Sequence, residues 1–498
     1  MEVLDTSIAN VALPHIAGGL SASQDESTWV LTSYLVSNAI VLPLSGWLTT
    51  VVGRKRFYMT CVALFTVSSV LCGFAPSLGM LIFFRILQGA GGGGMGPSEQ
   101  AILADTFPPE KRGLAFSVYG MAVVVAPAIG PTLGGWITDN YDWRWIFFIN
   151  VPVGLLSLFL TSTVVEDPPW LRGLKGAVKR VDYLGLSLIV LGIGCLQVML
   201  DKGQQDDWFG SPFITTFAVV AAVALVWLVI HEWRTPHPIL ELKLLKNRNF
   251  AASVLFNFVL GCVLFGTTVL IPQFLQIMMG YSAQKAGEVL SPGGFLLMLL
   301  FPIAGLLSTK IDPRWMIAFG FGITAVALHH ITNLNLGVDF GTMVFWRMYQ
   351  VAGLAFIFIP ISILSYVGVP IEKNNQVSGI SNFIRNLGGS VGISGLTTFL
   401  ARQSQVYQTN LVAHATAANP QLQNMLNGSQ ASNMHAGSGP VLALQQAYGQ
   451  VMGVIEQQAS LLSYVNAFWV VSLIVACLVP LPFLLKKPKH GGQPMAAH

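Results

Sequence analysis

Residues 81–91 have the sequence Leu-Ile-Phe-Phe-Arg-Ile-Leu-Gln-Gly-Ala-Gly, in an apolar run that extends to a short charged loop at 105–112. A second apolar run follows and contains Gly-Pro-Thr-Leu-Gly-Gly at 130–135. Arg85 and Glu99 therefore lie inside a segment that is long enough to span a bilayer. An unpaired charge at that depth costs ~2.5–3.5 kcal/mol or more, so we expect both charged side chains to have a function.

The composition of the whole chain is that of a membrane protein. Of its 498 residues, 53% are hydrophobic and only 10% are charged, whereas soluble proteins have about 25% charged residues. The five cysteines lie in apolar runs without a metal-binding spacing, so we expect no metal, disulfide or cofactor. The absence of a Gly-Lys-Ser/Thr phosphate loop argues against ATP as the direct energy source. We expect an all-α integral membrane protein that is not an enzyme and has no nucleic-acid partner.

Fourteen apolar runs, each of roughly 18–25 residues, are long enough to cross the hydrocarbon core of a lipid bilayer as helices. They lie near residues 1–19, 28–48, 57–76, 79–104, 114–137, 145–165, 183–200, 212–231, 250–272, 286–308, 315–332, 341–368, 376–400 and 463–485. The first run is unusual because Asp5 lies so close to Met1. We suspect that an upstream stretch of about ten or more residues is missing.

Basic side chains are concentrated in alternate connections between these runs. These connections and the tail hold Arg54, Lys55, Arg56, Lys111, Arg112, Arg172, Lys175, Lys179, Arg180, Arg234, Lys243, Lys246, Arg248, Lys310, Arg314, Lys373, Lys486, Lys487 and Lys489. The remaining connections hold few bases, namely Arg144, Lys202, Lys285 and Arg402. Because basic loops stay in the cytoplasm, this pattern predicts a multi-pass protein with both termini cytoplasmic.

The chain contains an internal repeat. The Arg-x-x-Gln pattern of residues 85–88 recurs at 347–350 in a similar apolar context, and each copy is the fourth helix of a six-helix unit if two runs form an insertion. Parallel six-helix repeats with a site between them are typical of secondary transporters. Chance similarity between apolar helices is the alternative. The predicted domains are 1–165, a linker with two extra helices at 166–249, 250–485, and a tail at 486–498.

The only long polar stretch lies at 402–462, on the predicted outer side of the membrane. It is rich in Gln, Asn and Ala and has a Gly-Ser-Gly break at 437–439. Because 441–460 has a helical pattern of small and amide side chains, we expect a helical hairpin. This hairpin is either a tolerated insertion or a docking surface.

Several stretches together resemble the signature motifs of a transporter family. They lie at 4–14 (Leu-Asp-Thr-Ser-Ile-Ala-Asn-Val-Ala-Leu-Pro), 46–56, 81–91, 130–137, 143–152 and 382–390. They resemble motifs of the major facilitator superfamily, specifically of its fourteen-helix drug:proton antiporter branch, and are most similar to those of EmrB-type multidrug efflux pumps. The resemblance implies the major facilitator fold with 14 transmembrane helices arranged 6+2+6.

The same resemblance implies a function. A pump of this type exchanges cytoplasmic amphipathic drugs for protons by alternating access in the inner membrane. It works with a periplasmic membrane-fusion adaptor (EmrA-type) and an outer-membrane channel (TolC-type), and we expect 402–462 to contact the adaptor. An importer, a metabolite or lipid transporter on the same scaffold, and a scaffold without transport activity remain alternatives.

Three charged residues are candidates for proton coupling: Asp5, Arg85 and Glu99. A carboxylate in a low-dielectric interior can gain and lose a proton, and an arginine partner would be released when Asp5 is neutralised. Asp5 is alternatively an acid near a frayed terminus, and Arg85 a cap for backbone carbonyls. Glu99 is a second proton site, an acid for a cationic substrate, or a side chain extending to the membrane surface.

Other motif residues are candidates for gating. They are Gly46, Gly53, Arg54 and Lys55 in the first loop motif, and Gly130, Pro131, Gly134 and Gly135 in the fifth helix. Glycines in that helix permit close packing, which we expect to be against the other half. The loop motif usually has an acid where Thr50 stands, so the sequence leaves the gate latch without its usual acid.

A pocket for apolar drugs is lined by aromatic and Met side chains with few polar anchors. The candidates for substrate binding are Asn10, Gln88, Gly92, Trp346, Arg347, Tyr349, Gln350, Phe356, Phe383 and Arg385, together with Phe256, Phe265, Met278 and Met279. For the aromatic and Met residues the alternative is a position facing lipid or the protein core.

Overall fold

The computed structural model describes residues 1–167, 182–236, 238–416 and 418–484. Within these ranges the chain is helical and has no strands. The helices are α1 (Glu2–Gly19), α2 (Gln24–Ser27), α3 (Trp29–Val52), α4 (Arg54–Gly73), α5 (Leu78–Thr106), α6 (Pro109–Asn140), α7 (Trp145–Phe148), α8 (Asn150–Val164), α9 (Tyr183–Lys202), α10 (Pro212–Arg234), α11 (Arg248–Ile277), α12 (Ala283–Leu307), α13 (Pro313–Ile331), α14 (Phe340–Leu364), α15 (Asn374–His414), α16 (Pro420–His435) and α17 (Pro440–Leu478).

The helices account for the predicted apolar runs, each of which overlaps at least one described helix. By length and composition alone, nine helical segments in the described ranges can cross a membrane. A helix such as α15, with many amide and hydroxyl side chains, is outside that count. The expectation of a multi-pass, all-α membrane protein is confirmed, while the number of fourteen spans remains a prediction.

The helices pack as two bundles with an inserted pair. The bundles meet where α6 packs along α12 and where α3 packs along α15. The inserted helices α9 and α10 pack against each other, and α9 also contacts α3 and α15. One apolar cluster includes Ala39, Phe116, Ile189, Phe250 and Val377, which come from both bundles and from α9. The inserted pair is therefore packed into the fold rather than set apart from it.

The turn between α3 and α4 depends on a glycine. Gly53 has a φ angle of 95°, in the region that L side chains rarely adopt, and its backbone N–H bonds to the Thr49 carbonyl at the end of α3. A residue with a Cβ would be strained there. Because of this conformation, Gly53 is the single residue between α3 and α4, and α4 begins with Arg54. The turn therefore determines where the Arg54 side chain lies.

The polar stretch at 402–462 forms a helical hairpin, as expected. The end of α15 runs beside the start of α17, and α16 packs on α17 through a small apolar core. That core consists of Leu422, Leu426, Ala447, Val451 and Ile455. The predicted helix at 441–460 is not a separate element, because it continues as α17 into the last apolar run.

Part of the predicted charge pattern and of the predicted domains lies outside the described residues. This applies to Arg172, Lys175, Lys179, Arg180, Lys486, Lys487 and Lys489, and to the tail at 486–498. The boundaries of the predicted domains remain predictions.

Candidate functional site

The charged side chains of Asp5 and Arg85 form an ion pair inside the first bundle. Asp5, on α1, is 3% exposed, and Arg85, on α5, is fully buried. The Nη1 atom of Arg85 donates to Oδ2 of Asp5 at 2.5 Å. The structure therefore brings together the acid and the base that the sequence suggested as partners.

Two amide side chains bind the other oxygen of this carboxylate. Gln88 Nε2 donates to Asp5 Oδ1 at 3.0 Å, and Asn150 Nδ2 donates to the same atom at 2.8 Å. Both amides also donate to the Ser69 hydroxyl, at 3.2 and 3.1 Å. Sequence analysis gave Asn150 no role, although an amide inside an apolar run was an available signal. Gln88, a predicted substrate ligand, bonds to both members of the ion pair, and its role in substrate binding stays a prediction.

Arg85 is held on its other sides by the backbone and by aromatic rings. Its Nε donates to the Val30 carbonyl at 3.0 Å. Its guanidinium carbon lies 4.3 Å from the centroid of the Tyr34 ring and 5.7 Å from that of Phe147. The sequence left open whether Arg85 pairs with an acid or caps a carbonyl, and the structure shows that it does both.

The second bundle has a matching cluster without an acid. Arg347 Nη1 donates to Gln350 Oε1 at 2.7 Å and to the Thr267 hydroxyl at 3.1 Å, while Nη2 donates to the Thr268 hydroxyl at 2.9 Å. Gln350 Nε2 also donates to Thr267, at 2.8 Å. Among the described residues no carboxylate forms an ion pair with Arg347. The Arg-x-x-Gln repeat therefore forms a polar cluster in both bundles, and among the described residues only the first cluster includes a carboxylate.

Glu99 lies apart from the ion pair. It accepts a hydrogen bond from the Tyr58 hydroxyl at 3.0 Å. It lines a cavity of about 210 Å³ that is also lined by Glu2 and Tyr119. Among the described residues, no hydrogen bond or ion pair joins Glu99 to Asp5 or Arg85.

A polar cluster joins the two bundles at the end that carries the basic loops. Arg54 Nη1 donates to Asp105 Oδ2 at 2.5 Å, and its Nη2 donates to Asn375 Oδ1 at 2.7 Å. Asn374 Nδ2 donates to the second oxygen of Asp105, also at 2.5 Å. Arg54 is only 2% exposed. We call Arg54, Asp105, Asn374 and Asn375 the basic-end cluster.

The basic-end cluster contains an acid, although the sequence motif lacks one at position 50. Thr50 stands where an acid was expected, but its hydroxyl only donates to the Trp47 carbonyl in its own helix, at 2.6 Å. The acid comes instead from Asp105, at the end of α5. The sequence did not reveal this because Arg54 and Asp105 are separated by 51 residues.

Glycines allow the bundles to approach closely at this same end. A Cβ atom at Gly46 would lie 2.9 Å from the Asn375 carbonyl oxygen, and one at Gly113 would lie 2.7 Å from the Gly305 carbonyl oxygen. Both contacts are to backbone atoms of the other bundle, which cannot move aside as a side chain can. The ends of the two bundles are therefore in direct contact on the basic side.

Comparison with known proteins identifies the family. Residues 1–393 match the family model described as Major Facilitator Superfamily. The chain is a member of the major facilitator superfamily. Multidrug export protein EmrB of Escherichia coli (strain K12) is 38% identical over 493 residues, which cover 99% of this chain and 94% of that protein. Fatty acid resistance protein FarB of Neisseria gonorrhoeae is 36% identical over 492 residues, with coverage of 99% and 95%.

A solved structure supports the same fold. The proton:xylose symporter XylE superposes with a TM-score of 0.60 at 16% identity, covering 98% of this chain and 95% of that one. The predicted major facilitator fold and the predicted family are confirmed. This facilitator is therefore a transporter rather than an enzyme.

The helix-five glycines of this facilitator pack differently from the prediction. A Cβ atom at Gly130 would clash with the Ser7 side chain, and one at Gly134 would lie 3.2 Å from the Ile8 Cα. Both neighbours belong to α1 of the same bundle, so the expected packing of these glycines against the other half is wrong. Pro131 and Thr132 instead lie next to Gly287 of the other half, and a Cβ at Gly135 would meet open space.

The remaining gating candidates lie near the basic-end cluster. Lys55 Nζ donates to the Ser162 carbonyl at 2.7 Å, and the Lys55 backbone N–H donates to Asp167 at 2.9 Å. These bonds tie the start of α4 to the end of α8. Their role in gating stays a prediction.

The predicted substrate ligands do not form one site. Asn10 is exposed on α1. Tyr349 stacks on Phe345, which is 64% exposed, and Phe356 packs edge-on against Phe319, which is 56% exposed. The positions of these two rings favour the alternative that they face the bundle periphery.

Other predicted ligands lie between helices. Gly92 is within contact distance of Tyr34 and Asn38, where a Cβ would lie 2.6 Å from the Tyr34 hydroxyl. Trp346 packs at the edge of the second bundle's core, and Phe383 packs against the cluster shared by both bundles. Arg385 donates to Asn382, whose amide in turn donates to Gln100 of the first bundle at 2.8 Å. Their role in binding stays a prediction.

Proposed function

We propose that this facilitator is a proton-coupled antiporter that exports amphipathic compounds from the cytoplasm across the inner membrane. The observation that carries the proposal is the buried Asp5–Arg85 pair, the one carboxylate–guanidinium contact that the described residues place in the middle of a bundle. Relatives that are named for multidrug export and fatty acid resistance support the direction and the substrate class. The basic loops support cytoplasmic termini.

Protonation of Asp5 supplies the link between proton movement and helix movement. A neutral Asp5 no longer attracts Arg85, and breaking a buried pair by removing one charge costs about 3–5 kcal/mol. A proton that crosses a potential of ~150 mV supplies ~3.5 kcal/mol, which is the same order. The proton gradient is thus large enough to shift the contacts of α1 and α5 in each cycle.

The basic-end cluster serves as the cytoplasmic gate in this proposal. Alternating access requires the two bundles to separate at one side while they close at the other. Separation at the basic end breaks the bonds from Arg54 to Asn375 and from Asn374 to Asp105, which join the two bundles at that end. Their loss and recovery accompany substrate entry from the cytoplasm.

The helical hairpin is the proposed contact for a periplasmic membrane-fusion adaptor (EmrA-type), which would lead to an outer-membrane channel (TolC-type). The hairpin extends beyond the bundle and carries exposed apolar side chains, including Val441 at 74% and Tyr448 at 57%. Exposed apolar groups on a projecting element favour a protein partner.

The experiment that tests the proposed function is substrate-triggered proton release in proteoliposomes that hold an imposed pH gradient. Wild type, Asp5→Asn and Glu99→Gln are compared side by side. Release lost in the Asp5 variant alone assigns coupling to the ion pair and supports antiport. If wild type releases no protons, or if both variants release as many as wild type, the proposal is wrong.

A further inference from the structure

Exposed basic side chains follow one another along the connection between the inserted helix α10 and α11. They are Arg234, Lys243, Lys246 and Arg248. A short 3-10 helix, Leu242–Lys246, carries the two lysines and packs against both α10 and α11. Its Leu244 is buried in the apolar cluster that both bundles share, so the connection is anchored to the fold. We call the four basic residues the basic patch.

The basic patch has no acidic partner among the described residues. Two carboxylates occur in the same stretch, Glu232 and Glu241, and both are engaged by other groups. Glu232 is buried, and its Oε2 accepts a hydrogen bond from the Leu240 backbone N–H at 3.1 Å. Glu241 forms an ion pair with Lys373, which directly precedes α15. The positive charges of the patch are therefore open to an anion from outside the chain.

The face of α10 that leads to the patch is apolar and exposed. Side chains on this helix that are between 47% and 62% exposed are Val219, Val223, Val226, Trp227, Val229 and Ile230. Because α10 is long and apolar enough to cross a membrane, such a face contacts acyl chains.

Trp233 marks the end of this apolar face. It is 45% exposed, and Lys246 Nζ lies 5.7 Å from the centroid of its ring. Tryptophan side chains in membrane proteins are enriched at the level of the lipid headgroups. The basic patch therefore begins at the depth where the phosphate groups of a bilayer lie.

The same connection is bonded to the end of the molecule that carries the basic-end cluster. Gln376 Nε2 donates to the Ile239 carbonyl at 3.0 Å, and Lys373 pairs with Glu241. In the sequence, Lys373 and Gln376 flank the two asparagines of the cluster. The basic patch therefore lies on the basic side of the membrane.

We propose that the basic patch binds the phosphodiester headgroup of an anionic phospholipid, such as phosphatidylglycerol, from the leaflet on the basic side. The patch supplies the positive charge, and the exposed face of α10 supplies the surface for the acyl chains. A cluster of about four or more bases beside a spanning helix is typical of sites for anionic lipids. This inference goes beyond the proposed export function and does not depend on it, because lipid binding is measured without transport.

The test measures lipids bound to the purified full chain in a neutral detergent by native mass spectrometry. Phosphatidylglycerol and phosphatidylcholine with the same acyl chains are titrated separately, and we expect wild type to bind phosphatidylglycerol about tenfold more tightly. The double variant Lys243→Gln/Lys246→Gln should raise the Kd of phosphatidylglycerol about ten- to thirtyfold and leave that of phosphatidylcholine within about twofold. Lys243→Arg/Lys246→Arg keeps both charges and should bind like wild type.

The matched control is Arg56→Gln/Lys310→Gln, which removes two exposed bases from other basic loops. Its Kd for phosphatidylglycerol should stay within about twofold of wild type. Equal losses in the control and in the patch variant would show a diffuse effect of charge and overturn a site at the patch. Equal wild-type affinities for the two lipids would overturn it as well.

A second variant keeps the inference testable if the lysine variant fails to fold. Arg234→Gln/Arg248→Gln removes the other two charges of the patch, and we expect a similar loss of phosphatidylglycerol binding. A phosphatidylglycerol affinity within twofold of wild type in this variant would contradict the proposed site.

Two competitors separate a lipid from other anions. Glycerol phosphate carries the anionic group without acyl chains, and we expect it not to displace phosphatidylglycerol at the same concentration. Displacement at equal concentration would show that the patch takes a free phosphate compound, and the lipid assignment would be wrong. A polyglutamate peptide that binds wild type while phosphatidylglycerol does not would assign the patch to an acidic protein instead.

Discussion

At the scale of single residues, Asp5 is the side chain on which the proposed proton coupling depends. Asn at this position keeps the shape and can still meet Gln88 and Asn150, but it cannot carry a proton or attract Arg85. We therefore expect Asp5→Asn to reach the membrane, bind substrate and release no protons in proteoliposomes. Asp25→Asn, in an exposed position, is the control. Normal proton release by the Asp5 variant would exclude Asp5 as the coupling acid.

Asn150 offers a test of how precisely the carboxylate must be placed. Asn150→Leu removes a donor to Asp5 Oδ1, and a hydrogen bond to a charged group contributes about 1.5–3 kcal/mol. We expect proton-coupled transport to fall roughly ten- to a hundredfold while the variant remains folded. The rate of substrate-driven proton release, normalised to reconstituted protein, measures this. A rate within twofold of wild type would show that Gln88 alone suffices.

The role of a residue could be predicted where the residues that act together lie in one segment of the sequence. Arg85 and Gln88 share a helical face, and their repeat at 347–350 marked them in the sequence. Asn150 and Asp105 were not found, because each acts across the fold on a residue far away in sequence, 145 and 51 positions respectively. No local period records such contacts. The glycines of helix five were assigned a packing role, but their partner helix could not be known from the sequence.

At the scale of helices, the basic-end cluster predicts how the proposed cytoplasmic gate responds to a lost charge. Arg54→Gln removes the guanidinium that bonds to Asp105 and weakens the contact between α4, α5 and α15. Breaking a buried pair in this way costs about 3–5 kcal/mol, which is enough to open the basic end in most molecules. We expect a cysteine placed at Ser378, which is fully buried beside the cluster, to be alkylated faster by an impermeant maleimide.

The labelling experiment uses a background from which the five native cysteines have been removed. Arg56→Gln is the matched control, since Arg56 has the same charge in the same turn but is exposed. Equal labelling rates in the Arg54 variant, the control and the parent would contradict a latch at this cluster.

The two chain segments at the base of the helical hairpin lie side by side. At its base the Ser404 and Ser460 hydroxyl oxygens are 3.3 Å apart, and Gln408 donates to Glu456 at 3.4 Å. Deletion of 410–455 with a short turn therefore rejoins neighbouring chain ends. We expect resistance in cells to fall while transport in vesicles is spared, because the deletion removes only the proposed adaptor contact. Transport lost in vesicles as well would show that the hairpin belongs to the pump itself.

At the scale of the whole molecule, the two bundles share an architecture but differ in the groups that bind their buried arginines. Arg85 bonds to a carboxylate, whereas Arg347 bonds to hydroxyls and an amide. The repeat, the insertion and the membrane class followed from hydropathy and from the Arg-x-x-Gln pattern, because these are properties of composition and spacing. The packing of α9 against α3 and α15 could not be anticipated, since an apolar helix gives no sign of which neighbours it selects. The asymmetry between Asp5 and the hydroxyls of Thr267 and Thr268 likewise appears only when the bundles are compared in three dimensions.

This asymmetry predicts that the two arginines of the repeat have different functions. Arg85 contacts a carboxylate, so Arg85→Gln should abolish the coupling of proton release to substrate movement. Arg347 contacts hydroxyls and an amide, so Arg347→Gln removes only packing and polar bonds of its bundle. Its transport should slow by less than about tenfold, with the number of protons per substrate unchanged. The measurement is the ratio of proton to substrate flux in proteoliposomes. A ratio altered by Arg347→Gln would mean that the second bundle also takes part in proton transfer, although no described carboxylate pairs with that arginine.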